Sequence, residues 1–513
     1  MNSSTRLRLA KEARALLPFW AALAGLIAVP FLLLLQRPMD FAMPAFWLGC
    51  ALLGSVVFGQ EFQHRTMGLL LTQPVSRRRL WWEKMFVLGV ASFGLLLWMV
   101  IFSSLGAHYL GAHFAWNRGV FGLSDSLLLP LIFSFCTGPV LTLLARSTMG
   151  GLVLMSVCPS VFFLCWVLLL AGFDYEPSVP FLSCSRIFAF GLYPGALFLL
   201  GCRRFQRLED IHGHGQELSL PAALTRSFAG FTERLTLNHG GALGQLVRKE
   251  VRLHLPAFVV AGMFVGLWML LLAVVSARLS MSKEFLLLPA VWLGLGIPVV
   301  AGIVSTAEER GLGLLDWHLT LPVSARRQWF VKVIVALAVN VVLGILLPGV
   351  LGYAASWLVG GTFDMNLDAK DSQAFLIANA VIFCAALCAS TAASNSTRAL
   401  VGTIVLFLAG AMVLNFADYI YRWFPVKWTT YSPDWNERPG GVASLFFWID
   451  QYRWLLGWSS LAVWLYFLGL TGFRRSLESF SQPVRRMAVF FAVVCAFVFA
   501  AIVLRFDYAS LHK

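Results

Sequence analysis

The chain of 513 residues is 59% apolar and only 12% charged, with a mean hydropathy of +0.77. These values exclude an ordinary soluble domain and a disordered chain, and they define an integral membrane protein. The formal charge of +14 suits a surface facing anionic lipid headgroups and an acidic protein face, and no nucleic-acid module accompanies it.

In chain order, residues 5–17 alternate Arg6, Arg8, Lys11 and Arg14 with Leu7, Leu9, Leu16 and Leu17, predicting a basic amphipathic helix on the inner membrane surface. The long basic region and the lack of a small-residue cleavage site weigh against a cleaved signal peptide. Stretches free of Asp, Glu, Lys and Arg then follow at 18–35, 43–58, 85–110, 126–144, 149–173 and 187–202. After a linker at 211–240, a second amphipathic segment at 245–255 leads into stretches at 257–275, 285–304, 333–359, 374–393, 399–416 and 455–473. A thirteenth lies at 487–504, within an additional helix predicted at 487–505. Each approaches the ~20 residues that a helix needs to cross hydrocarbon, and none alternates as a barrel strand would.

The predicted fold is therefore an all-α polytopic integral membrane protein. It comprises two six-helix halves, 1–210 and 241–480, as parallel repeats, plus one extra C-terminal transmembrane helix. Placing the N-terminus inside puts 27 of the 39 Lys and Arg in cytoplasmic segments, as the positive-inside rule requires. An even number of spans separates equivalent points of the halves, so both copies of any loop lie on the same side of the membrane, with the loops at 59–84 and 305–332 in the cytosol and the C-terminus outside.

The sharpest signal is a repeated loop. Glu61, Thr72, Pro74, Ser76, Arg78, Trp81 and Lys84 recur 248 residues later as Glu309, Thr320, Pro322, Ser324, Arg326, Trp329 and Lys332. Upstream, Lys11-Glu12-Ala13-Arg14 matches Lys249-Glu250-Val251-Arg252 at a shift of 238, and Ser147-Thr148 pairs with Ser396-Thr397. Both halves also close on Gly-x-Arg-Arg, at Gly201 to Arg204 and Gly472 to Arg475. In each loop, at 59–84 and 305–332, the proline breaks the preceding segment. Ser76 or Ser324 is then placed to cap a new helix. Arg78, Trp81 and Lys84, or Arg326, Trp329 and Lys332, recur at three-residue spacing and are expected to share a face offered to the cytosol. An interfacial anchor accounts for Trp and Arg there, but not for Glu, Pro-Val-Ser and Lys kept at one spacing in both copies.

On these residues the chain resembles the membrane permeases of type-2 ATP-binding-cassette (ABC) exporters. There a surface helix precedes the first span, and an acid, Gly, Leu, Pro-Val-Ser-Arg and Lys follow the second. Glu61, Gly68, Leu71, Pro74, Val75, Ser76, Arg77 and Lys84 match in the first half, and Glu309, Leu319, Pro322, Val323, Ser324, Arg326 and Lys332 in the second. Asp316 and Ala325 depart from the pattern, so the second loop is expected to meet its partner differently. The resemblance implies coupling helices seated in grooves of two cytoplasmic ABC ATPase subunits, which bind ATP and Mg. The chain itself holds no cofactor, since it has no Walker A sequence and no Gly-Lys dipeptide.

No catalytic or metal-binding residues are expected. The nine cysteines fall almost entirely within spans and suit packing, and His212-Gly213-His214-Gly215 reads as a turn. A secondary transporter built from parallel repeats is the competing reading. It is disfavoured because no ionisable residue interrupts a span, while Asn340, Asn379 and Asn415 suit interhelical hydrogen bonds. A charge-free interior suits a lipid, lipopeptide or drug-like cargo, and the aromatic loop at 417–453 reads as an interfacial cap.

Overall fold

The computed structural model describes residues 3–32, 38–63, 66–110, 123–171, 191–207, 242–276, 287–311, 324–358, 369–407, 410, 457–471 and 473. The linker, the loop at 417–453, the thirteenth stretch, Asn415, Asp316, Leu319, Thr320, Pro322 and Val323 lie outside them. The described residues contain no strand, and seven of their helices are long and apolar enough to cross a membrane.

The first helices are α1 (Ser3–Leu32), α2 (Pro38–Gln63), the short α3 (Met67–Leu71), α4 (Arg77–Leu110), α5 (Leu123–Ala145), α6 (Thr148–Ala171) and α7 (Tyr193–Gln206). After the linker come α8 (Ala242–Leu253), α9 (Leu255–Ser276) and α10 (Leu287–Gly311). Next, α11 (Ala325–Asn340) runs through a π-helical turn (Val341–Leu346) into α12 (Leu347–Leu358). The last are α13 (Ala369–Ala392), α14 (Ser396–Phe407) and α15 (457–471).

The expected break between surface helix and first span occurs in one copy only. Residues 5–17 and the first span form a single helix, α1, with Pro18 inside it. Proline removes one helical hydrogen bond, and in the turn it loosens the Gln60 amide donates to the Ala15 carbonyl at 3.0 Å. At about 45 Å, α1 exceeds the ~30 Å of hydrocarbon, so its basic end extends beyond it. In the second copy the chain breaks at His254, between α8 and α9. There the His254 N–H still reaches Glu250 O and its carbonyl accepts from Ala257 N. The buried imidazole lies 2.8 Å from Glu250 O and 3.2 Å from Ala301 O. Burial pushes its pKa below the usual histidine range, although both carbonyls favour the charged form.

Lipid gives helices no hydrophobic reason to associate, so close packing of small residues and interhelical polar bonds must hold them. Both occur. Helices α2 and α5 meet at Gly54 and Gly138, where a Cβ on Gly138 would lie 2.9 Å from Gly54 Cα. Helices α10 and α13 meet 248 residues later, where a Cβ on Gly302 would lie 2.5 Å from that of Ala386. The indoles of Trp20 and Trp98 donate to Ala91 O at 3.1 Å and Ala24 O at 2.9 Å, joining α1 to α4. Asn340 donates to Asn379 Oδ1 and Asn379 to Gly294 O, each at 2.7 Å, tying α11, α13 and α10 together, as expected for these asparagines.

The N-termini of α6 and α14 correct one sequence pairing. The Gly150 N–H bonds Ser147 Oγ and the Arg398 N–H bonds Asn395 Oδ1, each at 2.9 Å. The structural equivalents are thus Ser147 and Asn395, again 248 apart, because either side chain can cap a helix. The two copies touch where α6 packs on α9 and where α1 faces the α13–α14 junction.

Candidate functional site

The repeated loop is rooted in a buried cluster of charge. Glu61 sits in the last turn of α2 and Lys84 in the second turn of α4, and each is nearly inaccessible, at 6% and 2%. Lys84 Nζ donates to Glu12 Oε2 at 2.7 Å, Glu61 Oε1 at 3.2 Å and Val57 O at 3.3 Å. An ammonium group has three protons, and all three are engaged. In the second copy Lys332 Nζ lies 2.8 Å from Glu250 Oε1, 2.6 Å from Glu309 Oε2 and 3.2 Å from Ser305 O. Every partner is the sequence equivalent of its counterpart, at a shift of 248 or, for the acid on the preceding helix, 238.

A further lysine balances each pair of carboxylates. Lys11 lies 3.7 Å from Glu61, while Lys249 bonds Glu309 and lies 3.8 Å from Glu250. Each cluster thus holds two acids and two lysines, the neutrality that burial demands. Burial pushes the Glu250 carboxyl above its usual range even against the pull of Lys332, and it lowers the Lys249 pKa despite Glu309. The geometry makes each cluster a three-way clamp joining the helix before the first span, the end of the second helix and the start of the third.

These positions correct the expected exposed face. Three residues advance a helix by roughly 300°, so steps of three drift by about 60° each and cannot keep Arg78, Trp81 and Lys84 on one side. Trp81 and Lys84 point into the protein with Leu88, whereas Arg78, Trp82 and Phe86 point out. Likewise Trp329 and Lys332 are buried with Ala336, and Arg326, Phe330 and Ile334 are exposed. The ionisable residues just beyond the second and third spans of each copy, Glu61, Lys84, Glu309 and Lys332, are buried rather than solvated.

The short helix is also elsewhere than expected. Ser76 and Ser324 start α4 and α11, which continue directly into the third span of each copy; the separate helix is α3, ahead of Pro74. Its entry is fixed by a bond from Thr66 N to Glu61 O at 2.9 Å and by the Thr66 hydroxyl on the Glu61 carboxylate. Met67 and Leu70 are buried while Leu69 is exposed. The Ser76 carbonyl accepts from Arg79 and Leu80 N–H. Ser324 stands at the N-cap of α11, but its hydroxyl makes no capping bond.

The loop therefore presents Thr72, Pro74, Ser76 and Arg78 outward, with Gly68, Val75 and Arg77 half-buried, and Ser324 and Arg326 are exposed in the second copy. Arg77 is engaged, donating to Gln206 O at 2.8 Å at the end of α7.

Two features escape the sequence reading. Glu12 and Glu250 belong to the clamp, a role signalled by their repetition but obscured by the surface-helix reading. The last described helices carry a Gly-x-x-x-Phe pair that receives the buried tryptophans. Trp81 packs on Phe58 at 5.2 Å and Phe205 at 5.8 Å between ring centroids, against Gly201. Trp329 packs on Phe473 at 5.3 Å, against Gly469. The equivalents are thus Gly201 and Gly469, Phe205 and Phe473. The Gly-x-Arg-Arg pairing is displaced by three residues because the glycine that meets Trp329 in the second copy is Gly469.

The helices and their polar clamps define a multi-pass α-helical membrane protein. Residues 17–166 match the family model described as ABC-2 family transporter protein, so this part of the chain is similar to an ABC-2-type permease domain. The match runs from within α1 to within α6 and includes the first Pro-Val-Ser loop, while the second copy lies beyond it. Permeases of this kind work in the membrane with ABC ATPase subunits that carry out the ATP hydrolysis. No curated protein and no solved structure matches the chain.

Proposed function

We propose that the chain is two permease halves fused in one polypeptide, residues 1–210 and 241–480. Each presents one Pro-Val-Ser loop, at 59–84 or 305–332, to its own cytoplasmic ABC ATPase subunit. The pair exports substrate across the cytoplasmic (inner) membrane, using ATP and Mg bound by those subunits. The observation that supports this reading most is the recurrence of the clamp. Lys84 and Lys332 hold the same set of two carboxylates and one carbonyl at the roots of both loops, although much of the surrounding sequence differs.

A clamp of this kind serves force transmission. A loop hinged on flexible ends would absorb a push from a closing ATPase dimer, whereas one fixed to three helices passes it to all of them. ATP binding then shifts the population between inward-open and outward-open arrangements. Arg78 and Arg326, exposed beside each clamp, are the side chains we assign to contact with the ATPases. The positive-inside distribution of Lys and Arg supports a cytoplasmic location for both loops.

Native mass measurement of the purified complex tests the proposal. One copy of this chain with two ATPase subunits is expected. A stable assembly of two copies with only two ATPases would contradict the fused-halves reading.

A further inference from the structure

The two seams between the copies are related by the repeat but are not alike. At one, Val153 and Val157 of α6 pack in a single apolar cluster with Ala257, Val260 and Phe264 of α9. At the other, the equivalents of Val153, Val157 and Ala257 are Val401, Val405 and Phe19. These line a cavity of about 700 Å³ between α1 and the α13–α14 junction, within the size range of a ligand site.

The cations differ as well. Arg398 borders the cavity, while the equivalent position in the filled seam is Gly150. Arg14 and Lys11 join it from α1. Arg14 and Arg398 are exposed, and Arg398 donates to the Ser394 hydroxyl at 2.8 Å. Glu12 and Glu61, also on the wall, are committed to Lys84 at 2.7 and 3.2 Å. Lys11 is shared with Glu61, so the cavity combines the exposed guanidinium groups of Arg14 and Arg398, at the level where the basic part of α1 ends, with an apolar wall that continues along the helices toward the membrane interior.

We propose that this cavity binds an anionic lipid drawn from the leaflet on the loop side. Arg14 and Arg398 hold its headgroup, and its acyl chain lies along Phe19, Val401 and Val405. The inference rests on the permease reading above and narrows its substrate class to anionic lipid-like molecules.

The test is binding to the purified full chain in detergent, read by native mass spectrometry. The probes are dioleoylphosphatidylglycerol, zwitterionic dioleoylphosphatidylcholine and glycerol 3-phosphate. Preferential retention of the phosphatidylglycerol is expected. The Arg14→Gln/Arg398→Gln double variant should lower its apparent affinity about thirtyfold, roughly fivefold per headgroup cation. Arg14→Lys/Arg398→Lys should retain most of the binding, and Val401→Trp should reduce it by filling the cavity. Arg252→Gln, the equivalent of Arg14 at the filled seam, should leave it unchanged. Equal retention of the phosphatidylcholine, equal binding of glycerol 3-phosphate, or an unaffected double Gln variant would overturn the site. ATPase recovery is scored on the same preparations. Its loss with lipid binding intact would count against the permease reading, and lipid failure with ATPases present against the site alone.

Discussion

The two loop roots solve one problem in unequal surroundings. Around Lys84 the clamp opens into a wider polar belt. Arg8 makes two 2.8 Å bonds to Glu83, which also accepts from Arg79 at 3.1 Å, and Arg79 reaches Thr5 at 2.7 Å. Around Lys332 the equivalents of Arg8 and Glu83 are Leu246 and Val331. Both carboxylates are fully buried at 0%, against 16% and 7% for Glu12 and Glu61. What both copies keep is the lysine with its two acids and one carbonyl, and what varies is the outer shell. The invariant part is therefore the element we assign to function, and the variable part sets how costly it is to disturb.

That contrast predicts the largest effect at Lys332. Lys332→Met leaves two buried carboxylates facing each other with only half-buried Lys249 nearby, and should cost about 3–5 kcal/mol. Lys84→Met should cost less, because Glu12 retains some solvent. Thermal unfolding of the two purified variants makes the comparison, and equal losses would mean that burial does not set the cost. Adding Glu250→Gln and Glu309→Gln to Lys332→Met should recover part of the loss.

Next in size are the glycines beneath the tryptophans. Gly201→Leu places its Cβ 2.5 Å from Val140 Cγ2 and 3.0 Å from Trp81, whereas Gly469→Leu begins at 3.2 Å from Trp329. Both should destabilise by about 1–3 kcal/mol, Gly201 the more. Gly472→Leu, at the site picked out by sequence alone, serves as the comparison. An effect at Gly472 as large as at Gly469 would break the assigned equivalence.

Much of this arrangement is legible in the sequence, and the misreadings have physical causes. The kinship of Glu61 with Lys84 shows in their fixed spacing, because the two anchor opposite ends of one loop. The inward turn of Lys84 does not show. A lysine in a basic, Trp-rich stretch reads as a surface residue unless its two acids are known, and one of them, Glu12, arrives from a helix seventy-two residues away. Continuity of α1 through Pro18 is similarly hidden, because Pro256, likewise preceded by leucine, accompanies a break at His254. In the first copy the Gln60 amide donates to the Ala15 carbonyl, a contact that no local pattern reports. Gly469 is obscured because Gly472, beside Arg474 and Arg475, makes a more conspicuous match to Gly201.

The smallest predicted effect transplants the second copy's outer shell into the first. Arg8→Leu with Glu83→Val removes both members of a partly buried ion pair and supplies the apolar residues found at the equivalent positions, so unfolding should shift by no more than about 1 kcal/mol. Arg8→Leu alone should cost more, since it strands Glu83 with Arg79. A double variant worse than the single would show that the polar belt belongs to the clamp.

Docking of ATPases by the two loops is tested by Arg78→Glu with Arg326→Glu, scored as ATPase recovered per permease. Both residues are exposed and begin long helices, so folding and insertion should be preserved. Reversed charge at a protein contact costs several kcal/mol, on the order of a hundredfold in affinity. The account predicts each single variant to lose one ATPase and the double variant to lose both, with the permease still inserted and monodisperse; full ATPase recovery with normal transport in the double variant would contradict it.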